Sequence, residues 1–97
     1  AHFDNSIGIF RNNKPKKFRI RIVRQFAELA AEILKHPKQR IREQKDQSVI
    51  IEIEEAYEEE ILPRVLSLGE HAEILSPKSC REKMAKTAKM LLEKYRD

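Results

Sequence analysis

The part of the chain that follows residue 17 opens on a pattern typical of a β-strand. Phe18, Ile20 and Ile22 alternate with arginines, which is the period of two expected when one face of a strand is buried. The next apolar residues lie mostly three and four positions apart and predict one face of a helix: Phe26, Leu29, Ala30, Ile33 and Leu34. His36-Pro37 is expected to end this helix, because proline pushes the preceding residue out of helical geometry.

A hairpin is predicted after that helix. Residues 38–44 alternate weakly, with Ile41 as the only apolar member, a pattern that suits an edge strand protected by charge. The sequence Asp-Gln-Ser at residues 46–48 supplies turn residues. The alternation then resumes at Val49, Ile51 and Ile53, which completes the second strand of the hairpin.

Two further helices are predicted on either side of a last short strand. Three consecutive glutamates suit the start of a helix and Gly69 suits its end, where a left-handed residue is needed. The stripe between them is Ile61, Leu62, Val65 and Leu66. After a strand around Ile74, Ser76 is expected to cap the terminal helix, with Pro77 at its first position. One apolar face then continues to the chain end: Cys80, Met84, Ala88, Leu91, Leu92 and Tyr95.

This order of elements predicts an α+β fold, a ferredoxin-like sandwich with an extra C-terminal helix. The split β-α-β repeat accounts for the first six elements, and right-handed crossovers give an antiparallel sheet of strand order 4-1-3-2. We expect the ferredoxin-like domain to span residues 18–97. Residues 1–17 are expected to be a linker remnant, because residues 12–15 (Asn-Asn-Lys-Pro) are typical of turns and linkers. Within it, the apolar patch at residues 7–10 predicts a strand or loop that docks on something upstream.

Charge is strongly segregated along the chain, although the net charge is only +4. Residues 11–42 carry eleven Lys or Arg and two Glu, a net charge of +9, whereas residues 43–73 carry ten acids and two bases, a net charge of −8. The basic half could attract phosphate groups, the acidic half of the same chain, or that of a second copy. We favour the intramolecular interpretation, because both halves must fold against each other.

The alternation also predicts which charges share the open face of the sheet. If the apolar residues of the strands point at the helices, the intervening charged residues point away from them, with Glu52 and Glu54 on the central strand. Cross-strand Arg–Glu pairs contribute little to stability and mainly set the distribution of charge on such a face. The arginines expected there are the candidate contacts for a ligand or a nucleic acid: Arg19, Arg21, Arg40 and Arg42.

That face is nevertheless a poor platform for single-stranded nucleic acid. Sheets of this topology that bind single strands stack the bases on aromatic side chains. The predicted open face has none, because Phe18 and Phe26 fall on buried stripes and Tyr57 lies at an element junction. The arginines could still contact phosphate, but Glu52 and Glu54 between them make the local field mixed.

No catalytic or metal-binding constellation is evident, so we expect neither enzymatic activity nor a cofactor. His2, His36, His71 and Cys80 lack the spacing of a metal site. The chain has two glycines and no phosphate-binding loop, and residues 23–25 are too short and glycine-free for an acyl-phosphate hydrolase of this fold. Cys80 lies on an apolar stripe and is predicted to be a small core residue, and His36 is predicted to cap the backbone.

Five short motifs follow one another along the chain. They are Phe3–Phe10 (FDNSIGIF), Glu32–Gln39 (EILKHPKQ), Ile61–Leu75 (ILPRVLSLGEHAEIL), Pro77–Arg81 (PKSCR) and a last helix that ends in Tyr95. Together they resemble the C-terminal part of the WYL-domain transcriptional regulators of bacteria. Each motif alone is weak, but their order and spacing cover nearly the whole chain and make the resemblance fairly specific.

The resemblance implies a domain organisation. Such regulators have an N-terminal winged helix-turn-helix, a middle Sm-like barrel with a Trp-Tyr-Leu signature, and a ferredoxin-like extension called WCX. This chain has no tryptophan and no Tyr-Leu pair, so we expect it to be the WCX extension with a linker remnant. Because the positions of the WYL barrel are not in this chain, none of its ligand-binding residues can be assigned here. The single cysteine, the absence of a signal peptide and the lack of an apolar run of ~18 residues favour a cytoplasmic protein without membrane contact.

The leading hypothesis for function is therefore a regulatory and dimerisation module of a transcriptional regulator. The family implies a homodimer, partnership with the upstream WYL and helix-turn-helix domains, DNA contact only through the missing N-terminal domain, and effector sensing shared with the barrel. The oppositely charged halves also suit an isologous contact between two copies. The alternative is that a nucleic-acid effector binds the basic sheet face.

Overall fold

The computed structural model describes residues 14–96, which form four strands and three helices. The elements in chain order are β1 (Lys16–Ile22), α1 (Ala27–Ile33), β2 (Gln39–Glu43), β3 (Val49–Ala56), α2 (Glu58–Ser67), β4 (Ala72–Ser76) and α3 (Lys78–Lys94). Short 3₁₀ turns precede α1 and β4, at Arg24–Phe26 and Gly69–His71. The predicted order of elements is confirmed. The apolar patch predicted at residues 7–10 lies outside the described residues.

The sheet has the topology that the sequence predicts. Its strand order is β2-β3-β1-β4, with every neighbouring pair antiparallel. Read from the other edge this is 4-1-3-2, so the α+β, ferredoxin-like fold is confirmed. β1 begins at Lys16, two residues before the alternation of apolar and charged residues.

One face of the sheet carries the core. Phe18, Ile20 and Ile22 are fully buried, and β1 pairs with β3 so that these residues lie opposite Ile53, Ile51 and Val49. The helices cover them with a second layer of buried side chains, which includes Ala30, Leu34, Ile61, Val65 and Cys80. The prediction that Cys80 is a small core residue is confirmed.

Three apolar residues ahead of α3 are more exposed than the sequence pattern predicts: Leu29, Ile41 and Leu66. Leu29 is 51% exposed, because the fully buried Ala30 marks the core-facing side of α1 and Leu29 lies about 100° around the helix from it. Ile41 is also 51% exposed, although it lies opposite the buried Ile51. Its strand is at the edge of the sheet, where the helical layer gives little cover.

The two helix-end predictions have different outcomes. Gly69 has φ of +59° and directly follows Leu68, the C-cap residue of α2, as predicted. The prediction that Ser76 caps α3 is wrong. Ser76 is the last residue of β4 and pairs with Arg19, so its extended backbone belongs to the sheet. Pro77 takes the capping position, and its carbonyl accepts the amides of the third and fourth residues beyond it, at 3.1 and 3.0 Å.

The His-Pro-Lys-Gln turn at residues 36–39 has a structural role. The Gln39 side-chain amide donates to the backbone carbonyls of Ala31 and Leu34, at 3.2 and 3.1 Å, and thereby caps the end of α1. The backbone N–H of Lys38 donates to Nδ1 of His36 at 3.1 Å. The prediction that His36 serves the backbone is confirmed.

α3 packs on the domain through its first half only. Cys80 is fully buried and Met84 packs against the core. From Ala88 to Arg96 every residue is exposed. The prediction of one apolar face that packs as far as the chain end is therefore wrong for the second half, whose apolar side chains are left exposed.

Candidate functional site

On the outer face of the sheet, arginine side chains form ion pairs with a glutamate of the central strand. Arg42 on β2 donates from Nε to Glu52 Oε1 at 3.0 Å, and Arg19 on β1 places Nε 3.4 Å from Glu52 Oε2. The Glu52 side chain is only 12% exposed between them. The hydrogen bond from Arg42 holds the pKa of Glu52 below its ordinary value. The predicted flanking of the acidic strand by arginines is confirmed.

The other two candidate arginines are Arg21 and Arg40, which form no ion pair with Glu52. Arg21 is 3.7 Å from Glu73, a carboxylate that Arg81 also binds at 2.6 Å. Arg40 lies opposite Glu52 in register and is exposed, and within residues 14–96 it makes no ion pair. Three of the four predicted contact residues are thus engaged by acids of the same chain, and Arg40 has no acidic partner among the described residues.

Most ion pairs join the basic and acidic halves of the chain. Within the described part, six of the eight ion pairs connect a residue of the 11–42 segment with one of the 43–73 segment. These six pairs are the contacts that the intramolecular interpretation of the charge segregation predicts.

An apolar residue lies beneath this layer of charge. Ile50 points to the outer face, between Arg21 and Arg42 in register, and is only 3% exposed. The aliphatic stems of long basic side chains cover apolar surface in this way. Arg21 and Arg42 therefore have a packing role in addition to their charge.

A buried carboxylate connects three elements on the helical side. Glu58, the first residue of α2, is 6% exposed and forms ion pairs with Lys16 of β1 and Lys83 of α3. The Cys80 thiol lies 3.8 Å from the same carboxylate. Hydrogen bonds from Lys16 and then Lys83 hold the pKa of Glu58 below its ordinary value, and the bond to Glu58 raises the pKa of Lys16. Burial, followed by the charge of Glu58, raises the pKa of the Cys80 thiol, which favours the inert thiol form.

The sequence contained a signal for this buried carboxylate. Glu58 precedes Ile61 by three residues and Val65 by seven, so it lies on the buried stripe of α2. Acidic residues at the start of a helix also interact favourably with the helix dipole. Because that explanation applies to all three glutamates at the start of α2, it does not distinguish Glu58 from the two that follow it.

An open apolar groove lies where α2, β4 and α3 meet. It has a volume of about 490 Å³ and is lined mainly by apolar residues of these elements: Val65, Leu66, Ala72, Met84, Ala88 and Leu91. Glu70, Glu73 and Arg81 stand around it. Beyond the groove, the second half of α3 presents further apolar side chains to solvent, with Leu92 61% and Tyr95 84% exposed.

The groove, the buried carboxylate and the sheet all lie within the region that matches a known family. The family model of the WCX domain matches residues 15–92, from the start of β1 almost to the end of α3. The chain belongs to the WCX domain family. A comparison with the curated proteins gives no match. The resemblance to the WCX extension, drawn from the sequence motifs, is confirmed.

Neither a cluster of metal-binding side chains nor a membrane-spanning helix occurs in the described part of this WCX domain. Within residues 14–96, no three His, Cys, Asp or Glu residues are grouped so that they could hold a metal ion. No helix there is long and apolar enough to cross a bilayer.

Glu58 should make the stability of the WCX domain depend on pH. Its folded-state pKa is lowered, so its stabilisation is fully present above the unfolded value of about 4.3 and is lost as pH falls through the folded-state pKa. We expect Glu58→Gln to lower the urea midpoint at pH 7 and the difference from the native chain to close at low pH. Glu60→Gln, in the same turn but without an ion pair within residues 14–96, is the control. A constant difference for Glu58→Gln between pH 7 and pH 3 would contradict the assignment.

Proposed function

We propose that this WCX domain is the C-terminal regulatory and dimerisation module of a WYL-domain transcriptional regulator of bacteria, a cytoplasmic protein. The upstream WYL and helix-turn-helix domains are its partners, and DNA is contacted only by the helix-turn-helix. The family membership and the motifs that resemble such regulators support this assignment. The observation that carries it is the apolar end of α3 beside an open groove, a surface that residues 14–96 of one chain leave exposed to water.

The domain has a physical connection between its first strand and this apolar surface. Lys16 begins β1, where the chain arrives from the upstream segment, and Glu58 joins it to Lys83 of α3. A displacement of the β1 start therefore acts on the helix that carries the exposed apolar end. No catalytic role is needed for such a module, and we propose that it is not an enzyme and needs no cofactor.

Sedimentation equilibrium of this chain at low and high salt tests the proposal. We expect a dimer under both conditions, because burial of apolar surface is not screened by salt whereas contacts between exposed charges are. A strict monomer at both salt concentrations, over a concentration series up to the millimolar range, would refute dimerisation through this module.

A second candidate, binding of a nucleic-acid effector at the outer sheet face, is favoured by Arg40, whose exposed guanidinium makes no ion pair within residues 14–96. Adding a short single-stranded oligonucleotide in the same experiment tests it. Binding through this face weakens with salt and is lost on charge reversal of Arg19 and Arg21. Unchanged binding in that variant would eliminate the sheet face as the site.

A further inference from the structure

Among residues 14–96, the second half of α3 is a helix end without a tertiary partner. Every residue from Ala88 to Arg96 is exposed, including Leu91, Leu92 and Tyr95. Helical turns of this length are marginal in water unless an apolar face packs on something. The groove beside it is also left open by the described residues, so this part of the chain carries both an unpacked apolar helix end and an open apolar groove.

The apolar side of this helix end suits close approach by another helix. Ala85, Ala88 and Leu92 are spaced three and four residues apart and lie on one side of α3. Ala85 and Ala88 line the groove and leave room for a large side chain. Met90, two residues from Ala88, points to roughly the opposite side, since successive residues of a helix are about 100° apart.

We infer that a second copy of this chain covers the groove, in a symmetric dimer whose two α3 helices run antiparallel and cross at Ala88. In that arrangement Leu92 of each copy, four residues after the crossing, meets Met84 of the other, four residues before it. Tyr95 meets Arg81 in the same way. The inference rests on the proposed function and specifies the surface through which the module dimerises.

Charge also favours a second copy as the occupant. α3 carries six basic and two acidic residues, whereas Glu70 and Glu73 lie at the rim of the groove. Glu70 makes no ion pair within residues 14–96, and neither does Lys89, which borders the Leu92 side of α3. An α3 helix laid across the groove brings this basic side towards the acidic rim. The apolar surface also continues past the groove to Tyr95, farther than a small molecule would cover.

Two lysine substitutions at exposed positions test the inference without disturbing the core. Leu92→Lys places a charge in the inferred contact twice per dimer, and we expect the dimer dissociation constant to rise about 100-fold. Met90→Lys is the matched control, since Met90 is 58% and Leu92 61% exposed, and we expect a change of less than about threefold, well under one tenfold step. Sedimentation equilibrium gives the constants, and circular dichroism melts establish that both variants fold.

Cross-linking tests the crossing point directly. A short bis-maleimide should link Ala88→Cys to its symmetry mate and should fail to link Lys86→Cys, which lies about 200° around the helix from Ala88. The native Cys80 is fully buried and does not compete. A dimer that survives Leu92→Lys and is not linked through position 88 would overturn the inference and leave the proposed function with another surface. A native chain that stays monomeric would overturn both, with an upstream domain as the occupant of the groove.

Discussion

Replacing Phe18 by alanine is expected to lower the free energy of unfolding by about 3–5 kcal/mol. Phe18 is fully buried, lies opposite Ile53 on β3 and belongs to the single core that the sheet shares with the helices. Domains of this size are stable by only about 5–15 kcal/mol, so the variant keeps a small margin. Urea unfolding at pH 7, followed by circular dichroism, measures the loss.

Arg19→Ala is the matched control for this prediction. Arg19 is the next residue of the same strand, its side chain is 44% exposed, and it faces the outer side of the sheet with one ion pair to Glu52. Its removal should shift the urea midpoint by a small fraction of the Phe18→Ala shift. Equal shifts for the two variants would contradict the assignment of the two sheet faces.

Ending the chain after Thr87 is expected to abolish dimerisation while the fold persists. The apolar residues of α3 that pack against the core, Cys80 and Met84, are retained. The residues removed are exposed in the monomer, among them Leu92 and Tyr95. The melting temperature of the truncated monomer should therefore differ little from that of the native monomer. Each Leu buried in an interface contributes about 1.5–3 kcal/mol, so the dimer dissociation constant should rise at least 100-fold.

Melting curves and sedimentation equilibrium on the same truncated sample check both halves of this expectation. A truncated chain that fails to fold would show that the helix end belongs to the core. A truncated chain that still dimerises with native affinity would place the contact on another surface, such as the outer sheet face.

The strands and their order could be predicted because their physical signal is local. Alternation of apolar residues with arginines defines β1 without any knowledge of its neighbours, and right-handed crossovers leave few sheet orders for this sequence of elements. Helix phase was less predictable. Leu29 fits the spacing of the predicted stripe, yet it lies about 100° around α1 from the buried Ala30 and is 51% exposed.

The pairing of charges on the outer face was predictable only in part. Alternation correctly placed Arg40 and Arg42 on one face with Glu52. Register sets Arg40 directly opposite Glu52, yet Arg42, on the diagonal, makes the hydrogen bond at 3.0 Å. Long side chains reach diagonal neighbours across a sheet. The sequence therefore predicts which face of the sheet a side chain lies on, but not which residue it pairs with.

The groove and the buried carboxylate depend on how distant elements meet. The stripe of α3 indicates an apolar face along the whole helix, but it does not indicate how much of that face the other elements cover. Glu58 likewise needs Lys16 and Lys83, which come from two other elements. Its position on the α2 stripe was visible in the sequence, whereas its partners were not.

Amide hydrogen exchange at low and high protein concentration tests the central claim, that the exposed end of α3 is the dimer surface. In the dilute monomer, residues 88–95 should exchange rapidly, because no other element of residues 14–96 packs on this helix end. At concentrations where the dimer forms, protection should rise there and around Glu70 at the groove rim, with the outer sheet face unchanged. Protection that rises around Arg40 and Arg42 instead, with residues 88–95 still exchanging rapidly, would contradict the account.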